Sequence, residues 1–352
     1  MGLITLLANA ATALGRLDGV AATLPNLDLF VAMYVKREAV LSSQIEGTQS
    51  SLDDILAFEA NPDASQVPDD VEEVVNYIRA MNYGLSRLGA LPLSLRLLRE
   101  IHAELLAGVR GSQKSPGEFR TSQNWIGVGP RGLRDATFVP PPPTELMAQL
   151  GDLETFLHQS GDLHPLVVCA LAHAQFETIH PFLDGNGRMG RLLITLLLCH
   201  ERVLHQPLLY LSHYLKLHRS EYYDRLTSVR VAGDWEGWLR FFLIGVGQVA
   251  GEAEQTARRI VGLRETTRQQ IHDAKMNVKS LALLDHLFQH PVVNVAAVQQ
   301  FFTISYPSAN TLIGGLRDMG LLEEVTGGSR NRMFRFAPYI DLFADPLSDE
   351  LY

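Results

Sequence analysis

The chain has 352 residues, a formal net charge of −9, 46% hydrophobic residues and 20% charged residues. It is longer than one core usually supports and apolar enough for a sizeable one, so two or three globular domains are expected. The acidic balance excludes a protein that coats nucleic acid through bulk positive charge, although it leaves room for a small basic face.

The first residues, MGLITLLANAATALG, are apolar with no basic residue before them. That pattern argues against a signal peptide and for a helix that packs onto a domain. Apolar residues recur at helical spacing almost throughout, with no long alternating runs, so the expected fold is mainly α. Residues 1–90 read as an N-terminal helical domain interrupted by the polar loop NPDASQVPDD. Residues 91–260 form a second domain, in which FRTSQNWIGVGPRGLRDATFVPPPP is the one departure from helix. Its β-prone pieces, Gln123–Val128 and Ala136–Val139, flank a Gly/Pro/Arg turn and predict a hairpin; Pro140–Pro143 then force an extended exit.

The longest apolar run, Leu192–Cys199, is far short of the about 20 residues that a membrane helix needs. Cys169 and Cys199 both lie in apolar stretches and read as buried reduced thiols of a cytoplasmic protein. After a charged, helix-favouring connector over 251–275, residues 277–345 show three helices, LALLDHLFQH, VNVAAVQQFF and SANTLIGGLRDMGLL. EEVTGGSRNRMFRF follows as a two-stranded wing, which is the winged helix-turn-helix order.

The chemically dense segment is HPFLDGNGRMGR, His180–Arg191, set between the apolar helical stretches VVCALAHAQFETI and LLITLLLC. A short loop opening onto a helix N-terminus is an anion site, because free backbone N–H groups and the helix dipole both favour negative charge. Gly185 and Gly187 allow close backbone approach, and Asn186 adds a side-chain donor. Arg188 and Arg191 stand three apart at the helix start, where cations oppose the dipole and call for an anionic partner. Asp184 is the carboxylate suited to hold Mg²⁺ on phosphate oxygens. His180 titrates near neutrality and can take a proton from a hydroxyl. Together these residues predict a nucleotide phosphate site.

The same string resembles the signature of the Fic family, His-x-Phe-x-Asp/Glu-Gly-Asn-Gly-Arg-x-x-Arg, at every fixed position. The resemblance implies a Fic helical core with a small β-hairpin flap. It also implies transfer of AMP from ATP to a Ser, Thr or Tyr hydroxyl of a protein, with pyrophosphate released. On that basis His180 is the general base and Asp184 the Mg²⁺ ligand. Gly185, Asn186, Gly187 and Gly190 belong to the phosphate loop, and Arg188 and Arg191 clamp the β- and γ-phosphates.

Upstream, Ser42-Ser-Gln-Ile-Glu46-Gly47 places Ser42 and Glu46 four apart on one helical face, able to meet a single target. The segment resembles the inhibitory helix of one class of the family, which implies that Glu46 pairs with Arg191 and blocks productive ATP binding. By the same resemblance, the hairpin is a flap that aligns the target's main chain, and Tyr222 and Tyr223 line the adenine pocket.

Arg317, Arg330, Arg332 and Arg335 near the third helix and wing of the last domain suit DNA phosphates, but Asp318, Glu323 and Glu324 dilute that field; DNA and protein both remain partners for it. The target is either another protein or the chain itself, and a homodimer is one way to tune release of Glu46. Two other readings stay open, a nucleotide-sensing DNA-binding regulator and an enzyme that removes AMP.

Overall fold

The computed structural model describes residues 1–22, 27–60, 70–127, 132–326 and 332–343. The expected loop at 61–69, the turn at 128–131 and Arg330 lie outside the described residues. The chain forms two units: Met1–Asp18, Tyr34–Ser50 and Asp69–Gly251 make one, and Gly19–Met33, Ser51–Pro68 and Glu252–Tyr352 the other.

The first unit is helical, as the apolar spacing predicts. In chain order the structure has α1 (Leu3–Ala22), α2 (Leu27–Ile45), α3 (Leu52–Ala60), α4 (Val71–Leu88), α5 (Leu95–Leu105), α6 (Pro143–His158), α7 (Pro165–Ile179) and α8 (Asn186–His200). These are followed by α9 (Ser212–Leu217), α10 (Arg219–Ala232) and α11 (Trp235–Asp273). Local chemistry sets several boundaries. Ser94 caps α5 by accepting from the Leu97 amide at 3.4 Å, and proline opens α6 and α7 at the first turn, where its missing N–H is harmless. Glu72 and Glu73 sit in the first turn of α4 and Arg87 in its last, each complementing the helix dipole.

At the centre stands α8, buried on every side from Arg188 to Leu198, which is the behaviour of a helix apolar all round. It packs against α7 and α4, while α5 lies along α4. Gly84 makes the α4 crossing close: a Cβ there would lie 2.9 Å from Ile101 Cδ1 and 3.0 Å from Leu196 Cδ2. On the far side of α7, Trp238 Nε1 of α11 donates to the Ala170 carbonyl at 2.8 Å. Cys169 and Cys199 are both free thiols, the first buried and the second half-buried.

The expected hairpin after residue 122 is reduced to one bridge, with Ile126 N donating to Phe138 O at 2.8 Å and Phe138 N to Ile126 O at 3.1 Å. Gly127, at φ +140°, turns the chain out of the pairing immediately, so two strands do not extend over the described residues.

The second unit includes α3, and from residue 278 onward its order is α12 (Val278–Gln289), β1 (Val292–Asn294), α13 (Val295–Phe302), α14 (Tyr306–Asp318), β2 (Glu323–Glu324), β3 (Met333–Arg335) and α15 (Ala337–Ile340). The residues read as the start of the second helix instead form β1, and this is a correction. Two β-branched valines after Pro291 extend the chain, and Asn294 then caps α13 by accepting from the Ala297 amide at 2.8 Å. The sheet therefore has three antiparallel strands in the order β1-β3-β2, with Val293 opposite Phe334 and Glu324 opposite Phe334 on the other side. The connector over 251–275 is continuous with α11, a single helix of 39 residues.

The fit around Gly84 yields a test. Gly84→Val forces side-chain atoms into Ile101 and Leu196, and overpacking of this kind costs about 1–3 kcal/mol. Urea unfolding should show a lower midpoint with an unchanged slope.

Candidate active site

α7 ends at His180, whose φ of +50° places it in the left-handed region and turns the chain sharply into the loop. The loop carbonyls are then taken up one after another. Arg120 Nε donates to the His180 carbonyl at 3.0 Å, and Arg120 Nη2 donates to Pro141 O at 2.5 Å. Asn124 Nδ2 donates to Phe182 O at 2.8 Å.

His102 holds the far end. Its Nδ1 accepts from the Gly117 amide at 2.8 Å, so its Nε2 carries the proton that reaches Asp184 O at 3.0 Å. Burial lowers the His102 pKa to about 4, which keeps the ring neutral in this role, and it stacks on Phe182 with 3.7 Å between centroids. With these carbonyls engaged, the first amides of α8 still lack the intrahelical partners that later turns have.

Asn186 is buried and its side chain closes the loop on itself. Its Oδ1 accepts from Phe182 N and its Nδ2 donates to Phe182 O, both at 2.8 Å. The expected extra donor toward an anion is therefore spent within the loop, and only the Asn186 backbone is available. Gly185, at φ +73°, forms the N-cap, and its amide donates to Asp184 Oδ1 at 2.6 Å.

The anion position beside α8 is filled from within the chain. Helix α2 ends at Gly47 (φ +98°), with Thr48 N donating to Ser43 O at 3.3 Å, a closure that sets Glu46 at the helix end. From there Glu46 Oε1 accepts from Arg191 Nη2 at 2.6 Å and crowds Gly187 so closely that no side chain fits there. Ser42, one turn back, accepts from Arg191 Nε at its hydroxyl (2.8 Å) and from Nη2 at its carbonyl (2.9 Å). Burial alone would raise the Glu46 pKa, but the charge and hydrogen bond of Arg191 outweigh it and hold the carboxyl below its usual value.

Arg188 is equally buried and has a partner that sequence reading missed, Glu73 of α4. The Arg188 Nη1–Glu73 Oε2 distance is 3.1 Å, and Arg110 Nε joins Glu73 Oε1 at 3.2 Å. Glu73 stands 115 positions from Arg188, and its only local signal was to be one of several acids at a helix start.

His180 has an unpartnered, buried Nδ1, and burial first, then Arg230, lowers its pKa to about 4. The ring is neutral at pH 7 and able to accept a proton. Asp184 is 38% exposed at its side chain, and only Oδ1 is engaged with Gly185 N. Among the described residues no group of three His, Cys, Asp or Glu could enclose a metal. One open carboxylate fits a hard cation that takes its other ligands from phosphate and water, as Mg²⁺ does.

Two expected ligand contacts, Gly190 and Tyr222, are corrected. Gly190 faces α7 rather than the pocket: its carbonyl accepts from His173 Nδ1 at 2.9 Å, and a side chain there would run into Glu177 Oε1. Tyr222 is core, its hydroxyl donating to His173 Nε2 at 2.9 Å beneath Trp238. Tyr223 is 38% exposed with Arg219 over its ring, so it alone of the pair faces outward.

In the second unit three of the arginines named for DNA each meet an acid: Arg317 with Asp318 at 3.1 Å, Arg332 with Glu324 at 3.5 Å, and Arg335 with Asp341. That pairing lowers the positive field available to phosphates.

An α-helical core that opens its central helix with Gly-Asn-Gly-Arg, and lines it with a neutral histidine and two buried arginines, has the loop–helix geometry that suits an anion. Comparison with known proteins gives its lineage. Residues 4–86 match the pattern described as Fic/DOC family N-terminal, and residues 92–198 match that of the Fic/DOC family. The chain belongs to the Fic/DOC family.

Protein adenylyltransferase Fic of Drosophila grimshawi is 34% identical over 176 residues, which is 49% of this chain and 33% of that protein. Its counterpart in Aedes aegypti is 36% identical over 151 residues, 42% of this chain and 27% of that protein. The chain thus spans about a third of the length of the curated relatives it matches. Among solved structures, a Fic family protein from Desulfovibrio desulfuricans G20 superposes with a TM-score of 0.61 at 21% identity, over 95% of each chain. Fic-1 from C. elegans superposes with a TM-score of 0.51 at 22% identity, over 75% of this chain and 74% of that one. At these identities the likeness establishes the fold.

A second buried carboxylate steadies α2. Glu38, four residues before Ser42, accepts from Ser212 Oγ at 2.5 Å, Ser212 N at 3.1 Å and Tyr77 OH at 3.3 Å. Burial raises its pKa to about 7 from 4.5, against the pull of Ser212, Arg191 and Tyr77. The folded chain keeps this proton at pH values where the unfolded chain has lost it. The stability it contributes is therefore full below pH 4.5 and lost as pH rises to 7. Glu38→Gln should remove that decline, a difference on the order of 3 kcal/mol between the ends of the window. Urea unfolding of both proteins at pH 5 and pH 8 measures it.

Proposed function

We propose that the chain is an autoinhibited protein adenylyltransferase. It transfers AMP from ATP to a hydroxyl side chain of a protein and is restrained by its own Glu46. The observation that carries this reading is the Glu46 carboxylate lodged on the first turn of α8, bonded to Arg191 and pressed against Gly187. An anion site occupied by an internal anion is an anion site with a built-in competitor. The adenylyltransferase name of the relatives supports the choice of reaction.

In the reaction the target oxygen attacks the α-phosphorus of ATP. The bond from that phosphorus to the bridging oxygen of the β-phosphate breaks, pyrophosphate leaves, and the hydroxyl proton passes to His180 Nε2. The α8 amides and Arg191, freed from Glu46, take the phosphate oxygens, and Arg188 does so on exchanging Glu73 for phosphate. Asp184 would hold a Mg²⁺ ion, whose charge offsets that of the triphosphate. Tyr223, exposed beside the site, is the aromatic surface for adenine. The segment at Ile126, next to the loop it braces through Asn124, would align the target backbone.

The part of the second unit that holds α12, α13, α14 and the three-stranded sheet is proposed as a winged-helix module. Its paired arginines favour a protein partner over DNA.

Transfer of label from α-³²P-ATP with Mg²⁺ tests the reading. Glu46→Gly should label protein at least tenfold faster than the unaltered chain, and His180→Ala in that background should lose about a hundredfold or more, the usual worth of a general base. Equal labelling by Glu46→Gly and the unaltered chain would sink the autoinhibition; no label in any variant would sink the transfer.

A further inference from the structure

Where α7 packs on α8, two buried polar atoms lack hydrogen-bond partners, His180 Nδ1 and Glu177 Oε1. The nearer carboxyl oxygen, Glu177 Oε2, lies 3.9 Å from His180 Nδ1, just beyond bonding distance. Glu177 is 5% exposed, and its carboxyl packs against Gly190, where a Cβ would overlap Oε1 as it now stands. A buried carboxyl with an unmet oxygen is a costly group to retain.

The requirement on the other side is equally definite. For His180 to accept a proton at Nε2 its single proton must sit on Nδ1, and a buried N–H needs an acceptor. The main-chain carbonyl of Glu177 also lies by the ring, and because it accepts from Arg230 Nη2 at 3.0 Å it is a shared acceptor for Nδ1, not an exclusive one.

We infer that Glu177 is a positioning residue for His180: its carboxyl accepts the Nδ1 proton and so fixes the tautomer that leaves Nε2 free as the base. The inference rests on the proposed transfer reaction for its purpose, not for its geometry. The movement required is small, about 1 Å, and lies within reach of a rotamer adjustment on either side.

The charged and titratable groups around Glu177 suit the role. Burial raises its carboxyl to about 7, Arg191 of α8 and Arg230 of α10 pull it down, and Glu46 pushes it up. His173 and Tyr222 close the remaining side and are bonded to each other. Departure of Glu46 removes the one negative neighbour named here, which favours the carboxylate and strengthens it as an acceptor. Release of the inhibitor and preparation of the base are thereby the same event.

The test uses the full chain in the Glu46→Gly background, with ¹⁵N-labelled histidine and the His180 signal assigned through His180→Ala. Long-range ¹H–¹⁵N correlation should show Nδ1 protonated. Glu177→Met keeps the volume but removes the acceptor, and should shift His180 toward the Nε2-protonated form. In the same protein kcat for AMP transfer should fall about tenfold to a hundredfold with KM for ATP changed less than twofold, since His180 does not hold the nucleotide.

Glu177→Gln, close in shape but unable to ionise, should lose less rate and also lose the limb of the kcat/KM pH profile that Glu177 contributes. It decides the question if the methionine variant fails to fold. An unchanged His180 tautomer in folded Glu177→Met, or a rate and pH profile in Glu177→Gln equal to its parent, would show that the main-chain carbonyl alone holds the ring and overturn the inference. Absence of AMP transfer in every variant would instead overturn the proposed reaction, while the tautomer measurement still decides the contact.

Discussion

The guanidinium of Arg191 is a full positive charge buried at 2% exposure, one turn into a helix whose N-terminus already carries partial positive charge. Nothing in that position is stable without an anion, because an unpaired buried charge costs several kcal/mol and breaking a buried pair costs about 3–5 kcal/mol. The chain meets the demand with Ser42 and Glu46 from the end of α2, and α2 is in turn held to the start of α9 by Glu38 on Ser212. The contact of Glu46 with Arg191 thereby serves the stability of the fold as well as any restraint on the site.

The same logic shapes the loop before α8. A backbone that is to offer its amides to an anion must dispose of its carbonyls elsewhere, and Arg120, Asn124 and His102 take them up with donors that are half-buried or fully buried. Each donor comes from a different point in the chain, so the loop is fixed from several directions before any ligand arrives. Electrostatic preorganisation of this kind requires little rearrangement during reaction.

Much of this was legible in the sequence, and the boundary has a physical cause. The loop, its histidine, its arginines and the four-residue spacing of Ser42 and Glu46 are local patterns, and local geometry follows directly from spacing. That Glu46 meets Arg191 was legible only through family resemblance, since the two are 145 positions apart, and the bond from Arg191 to Ser42 is evident only in the structure. Glu73, His102 and Arg120 carry no local mark of their partners; only packing joins them to the loop. Gly190 and Tyr222 failed in the opposite way. They sit within or near the motif yet face α7, and helical phase relative to a neighbouring helix is decided by tertiary contacts. β1 was read as helix because a three-residue strand is too short to show alternation, whereas its pairing with β3 is a long-range property.

The close approach of Glu46 to Gly187 also makes the side chain a measuring stick. A carboxylate is planar and carries one negative charge over two oxygens; a phosphate presents several oxygens and more charge around a tetrahedral centre. Under the proposed reaction, the 2.6 Å contact to Arg191 marks where the first phosphate oxygen would sit, and the α8 amides and Arg188, which Glu46 does not engage, mark places for the others. On that reading the resting chain holds an incomplete cast of its ligand, and a molecule that displaces Glu46 would satisfy more donors than the glutamate does.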